Sequence, residues 1–134
     1  MRRVVVVVFL VTLIASTAAQ AAGSPWSGRW RRAAGEYGAG SGVFTLVQRG
    51  NRVTGSYHWK GCTNVFGGTV TGTAIGRTLT AVFSHHGDAS GTLSLHLSKN
   101  GHTISGTFKV TAGTCRGAAG AFDATYVGPL RVAG

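Results

Sequence analysis

Side chains able to bind metals, move protons or attack carbonyl carbons are sparse in this chain. The densest polar cluster is His85-His86-Gly87-Asp88. Two imidazoles and a carboxylate so close together suit zinc or copper. Spacing places no third histidine beside them, so a solvated polar loop is expected and no metal is assigned. The three carboxylates are Glu36, Asp88 and Asp123, and they stand far apart. No pair is set for acid–base work, and no serine sits in an evident nucleophile elbow. Neither enzymatic activity nor a cofactor is expected. Cys62 and Cys115 are the only cysteines. In an exported chain such a pair points to a disulfide; two buried thiols are the alternative.

Cations are the abundant functional groups. Arg2-Arg3 precede an apolar run from Val4 to Ala15, and Ala19-Gln20-Ala21 offers small residues for cleavage after Ala21. A run that short does not reach the ~20 residues of a spanning helix. It reads as a secretory signal peptide over 1–21, which predicts a secreted or periplasmic protein with no stable membrane insertion. One domain, 22–134, then carries eleven basic and three acidic residues, a net charge of +8. A small domain this basic attracts polyanions or anionic surfaces. Nucleic acid is not the expected partner. Arg29-Trp30-Arg31-Arg32 mixes base and aromatic, but strand alternation turns Trp30 inward, where it cannot stack on a base.

The elements that must position these groups are β-strands. Val43 to Lys60 reads as a hairpin about Gly50-Asn51, pairing Arg49 with Arg52, Gln48 with Val53, Leu46 with Gly55 and Phe44 with Tyr57. In that register Phe44, Leu46, Val53, Tyr57 and Trp59 share a face. Gly67 to Ala74 and Thr78 to His85 form a second hairpin about Gly76-Arg77, setting Ala74 against Leu79 and Val70 against Phe83. Leu93, Leu95 and Leu97 alternate with Ser94, His96 and Ser98. Asn100-Gly101 predicts a two-residue turn that pairs Lys99 with His102 and Leu97 with Ile104. A first strand at Ser27 to Ala33 and a last from about Arg116 to Val127 bring the count to eight. V-T-G-S-Y at 53–57 echoes I-S-G-T-F at 104–108. Two duplicated half-barrels would explain the echo, as would the general self-likeness of Thr- and Gly-rich meanders. Each strand has one apolar side, and no helical periodicity supplies a cover. The fold class is therefore all-β, an eight-stranded antiparallel up-and-down meander closed into a small barrel. A two-sheet sandwich is the alternative.

The motifs W-S-G-R-W at 26–30 and L-V-Q-R-G-N-R-V-T-G-S-Y at 46–57 resemble the opening of avidin and lipocalin-like barrels, where a Trp-bearing strand precedes a hairpin with G-x-Y. The resemblance covers 26–57. It implies an up-and-down barrel with room for a small ligand. Avidins hold biotin with tryptophans on later strands. No Trp follows Trp59 here, and no C-terminal helix of the lipocalin kind is evident.

Two sets of binding residues follow. Trp30, Phe44, Tyr57, Trp59, Phe83 and Phe108 are the inward aromatics. They either fill the core or line a pocket for a small, partly apolar or anionic molecule. Arg49, Arg52, Arg77, Lys99 and His102 gather on the turns of one end as a basic rim, suited to an anionic polymer or an acidic partner. Cys62 and Cys115 fall at the opposite end. A bond between them would partly lid that end, directing ligand access to the basic one.

Overall fold

The computed structural model describes residues 24–32, 42–60, 66–86 and 88–130, without the side chains of 59, 60 and 66. The expected leader, Glu36 and Cys62 lie outside the described residues. Every described regular element is a strand. In chain order they are β1 (Gly28–Arg32), β2 (Gly42–Arg49), β3 (Arg52–Lys60), β4 (Phe66–Ile75), β5 (Thr78–His85), β6 (Ala89–Leu97), β7 (Thr103–Gly113) and β8 (Ala119–Gly128). Each pairs antiparallel with the next, and β1 pairs with β8 to close the barrel.

The expected registers are the observed ones where period-two patterning sets them. Phe44 faces Tyr57 and Leu46 faces Gly55. Val70 faces Phe83 and Ala74 faces Leu79. Leu97 faces Ile104, and Leu93 faces Phe108. A slip of one residue would turn each apolar set to water, so burial pins the register. Leu93, Leu95 and Leu97 are buried while Ser94 and His96 are exposed.

One turn departs from expectation. Lys99 and His102 do not pair across a two-residue turn. Ser98 N donates to the Thr103 carbonyl at 2.9 Å, and Gly101 N donates to the Ser98 carbonyl at 2.9 Å. The loop therefore holds four residues, with only Gly101 at positive φ, 76°. The reason lies in two polar side chains. Asn100 Oδ1 accepts from the His102 amide at 3.0 Å and the Ser98 hydroxyl at 2.7 Å, and Ser98 Oγ accepts from the Thr103 amide at 3.1 Å. These bonds offer the backbone an alternative to the mirror-image turn. Both loop lengths leave Leu97 opposite Ile104, so the core is unaffected.

Small residues let large ones lie across the interior. A Cβ at Gly91 would meet the Phe83 ring at 2.8 Å, and one at Gly55 would meet Leu46 Cδ2 at 2.8 Å. The cavity bounded by Trp30, Phe44, Leu46, Val70, Leu79, Leu93, Leu95, Ile104, Phe122 and Ala124 measures about 10 Å³, no more than one water could use. This part of the interior is filled by side chains, as eight-stranded barrels permit. Replacing Leu95 with Ala is expected to cost about 2–5 kcal/mol in chemical denaturation, against less than about 0.5 kcal/mol for its outward neighbour Ser94→Ala. Equal losses would contradict the inward assignment.

Candidate functional site

The two ends of the barrel differ in chemistry, and the turn end is closed from within. Trp26, just before β1, is fully buried. Its indole Nε1 donates to the Gly76 carbonyl of the β4–β5 turn at 3.2 Å, and its amide donates to Gln48 Oε1 at 3.2 Å. Its own carbonyl accepts from Trp30 Nε1 at 3.1 Å. Ser27 Oγ accepts from the Gln48 amide at 2.8 Å. An indole so large, with its N–H satisfied, makes a stable plug. Trp26 therefore fills the end expected to admit a ligand; it entered the sequence reading only through the W-S-G-R-W motif.

Around this plug stand the predicted cations. Arg49, Arg52, Arg77, Lys99 and His102 are all exposed. Arg49 and Arg52 face each other in register, a like-charge arrangement that opposes pairing slightly. The tips are tied to the adjoining strands: Ala74 N donates to Asn51 O at 2.7 Å, Leu97 N to Arg77 O at 2.8 Å, and Tyr126 N to His102 O at 2.8 Å. Each hairpin thus overhangs its neighbour by a few residues. Strand tilt in a closed barrel imposes that stagger. Neither described carboxylate lies on these turns, since Asp88 follows β5 at the other end and Asp123 lies within β8.

The predicted aromatics are placed as follows. Trp30, Phe44 and Tyr57 are buried and stand side by side across β1, β2 and β3, the Phe44 and Tyr57 rings 5.3 Å apart. Phe83 and Phe108 are half-buried against the core. The side chain of Trp59 lies outside the described residues. Sequence reading missed Phe122, which packs edge-on to Phe44 at 5.1 Å; alternation through Phe122, Ala124 and Tyr126 was the available signal.

It also missed two polar residues at the loop end. Arg32 follows Trp30 by two positions, so alternation turns it inward, where it is buried. Its guanidinium lies 5.2 Å from the Phe122 ring centroid and 5.8 Å from that of Phe108, within range of cation–π attraction. Burial lowers its pKa, and the Asp123 charge acts in the opposite sense. His85 ends β5, as the expected strand Thr78 to His85 has it, but it is buried where a solvated polar loop was expected. Tyr57 lies over Gly68, where a Cβ would meet its hydroxyl at 2.5 Å, and so reaches His85 Nδ1 at 3.0 Å across β4. His86 is exposed, and Asp88 instead latches the next turn, accepting from the Thr114 hydroxyl at 2.8 Å and, through its carbonyl, from the Thr114 amide at 2.9 Å. Among the described residues no three His, Cys, Asp or Glu side chains gather to hold a metal. Cys115 lies in the turn after β7 with φ of 63°; its expected pairing involves Cys62, outside the described residues.

Compared with known protein families, curated proteins and solved structures, the chain finds no match. The likeness to avidin and lipocalin barrels therefore stands at the level of architecture: eight antiparallel strands in a closed meander.

Burial pushes the Tyr57 phenol well above its ordinary value. An exposed phenol ionises near pH ~10, so above that pH the unfolded chain loses a proton that the folded barrel keeps. Stability should then fall as pH rises past about 10. Thermal unfolding across that range should show the decline, and Tyr57→Phe should flatten it. An unchanged slope in the variant would contradict the burial-driven shift.

Proposed function

We propose that this protein is an exported, non-enzymatic barrel that binds anionic partners on the basic rim of its turn end. One observation carries the reading: five exposed cationic or potentially cationic side chains on three neighbouring turns, with no described carboxylate among them, above an end that Trp26 seals. A patch of one sign attracts polyanions and speeds their encounter. The leader at 1–21 supports export, and the dispersed carboxylates support a role without catalysis.

Measuring the affinity for soluble polyphosphate across a salt series tests this. The triple variant Arg49→Ala/Arg52→Ala/Arg77→Ala should lower the slope of log K against log salt by about three, roughly one per lost contact. Binding that keeps its full slope in the variant would exclude the rim.

A second reading, a small, partly apolar or anionic ligand held by a lipocalin- or avidin-like barrel, is favoured by the half-buried Phe83 and Phe108 toward the loop end, near Arg32. An apolar dye anion, anilinonaphthalene sulfonate, would then bind the rim variant normally and lose affinity in Phe83→Ala. Loss in the rim variant alone would count against it.

A further inference from the structure

The outer wall of the barrel is mostly hydroxyl-bearing, with a few aliphatic exceptions such as Val82 in the middle of β5. Outward positions on β4 are Thr69, Thr71 and Thr73, and those starting β5 are Thr78 and Thr80. Hydroxyl-bearing β-branched side chains suit strand positions that face water. Ile75 is the most exposed of the described aliphatic exceptions. It is the last residue of β4, paired with Thr78 beside the Gly76-Arg77 turn, and it is 77% exposed. Alternation turns Ala74 inward and Ile75 outward, and the interior has no use for it.

What surrounds Ile75 is cationic. Arg77 is two positions away, and Arg52 faces Thr73 across the β3–β4 ladder. An apolar side chain flanked by two cations matches the chemistry of an anionic lipid interface, where headgroups meet the cations and the acyl boundary takes the apolar side chain. A dissolved polyanion would use the cations alone. We infer that the turn end docks on an anionic bilayer surface, with Ile75 entering the interface between Arg52 and Arg77. This rests on the rim being the binding surface, and it adds the partner. Anionic headgroups would also relieve the Arg49–Arg52 repulsion. The attachment is peripheral. One apolar side chain plus a few cations gives reversible binding.

The test is co-sedimentation of the full chain with phosphatidylglycerol-rich vesicles and with pure phosphatidylcholine vesicles, run beside polyphosphate binding. The anionic vesicles should retain the protein and the neutral ones should not. Arg77→Ala should weaken vesicle binding about fivefold. Ile75→Ser should weaken it about tenfold and leave polyphosphate affinity unchanged. Val82→Ser removes another exposed aliphatic side chain, 57% accessible but in the middle of β5, and should change neither. Polyphosphate binding through the rim without vesicle binding would overturn the lipid inference and leave the rim reading standing. So would vesicle binding indifferent to Ile75→Ser. Failure to bind either probe would overturn both.

Discussion

The seam between β1 and β8 is the constraint on which the rest of this structure depends. Trp30 pairs with Tyr126, Arg31 with Thr125 and Arg32 with Ala124. Without that ladder the meander would be an open sheet with two edges and one uncovered apolar face, and nothing among the described elements could cover either. The seam is short, four residues on the β1 side, and it carries a register shift between Arg29 and Trp30. Side chains reinforce it. Trp30 and Tyr126 meet edge to face at 5.3 Å, and Arg29 Nε donates to the Pro129 carbonyl at 3.0 Å. Gly28 also matters here: a Cβ would meet the Tyr126 ring at 2.5 Å, so a larger residue would prise the seam apart.

Closure decides where function can reside. An eight-stranded barrel is narrow, and its inward side chains fill the described middle almost completely. Trp26 then finishes the turn end. A protein built this way has little described interior to offer; its exposed cations stand on the rim, and Arg32 and the Tyr57–His85 pair stand at the loop end. The same logic explains why the outer wall is mostly hydroxyls with few charges. Cations concentrated on turns do not have to be accommodated in the ladders, where like charges directly opposed would weaken pairing.

Local pairing was legible in the sequence because it is set by period-two alternation and by turn chemistry. Val43 to Lys60 specifies its own register, and the same holds for the β4–β5 pair. The Asn100-Gly101 turn was misread because Ser98 and Asn100 compete for the backbone, and dipeptide preference does not weigh such side-chain bonds. The place of His85 at the end of β5 was legible, but its burial was not, because a histidine pair beside Gly and Asp reads as solvated. Its burial depends on a tyrosine 28 positions earlier, reaching over a glycine on the strand between. Trp26 was beyond local reasoning too, since its partner Gly76 is 50 residues away. The cationic rim was legible for a simpler reason: in an up-and-down meander alternate turns must share an end, so counting strands locates them.

The central claim is that the barrel is closed by β1 against β8. Nuclear Overhauser effects measure this directly in solution. Closure predicts cross-strand contacts between the Arg31 and Thr125 backbones and between the Trp30 and Tyr126 rings, with slow hydrogen exchange along β1. Absence of those contacts, with β1 amides exchanging as rapidly as those of the turns, would contradict closure and with it the sealed platform on which the rim stands.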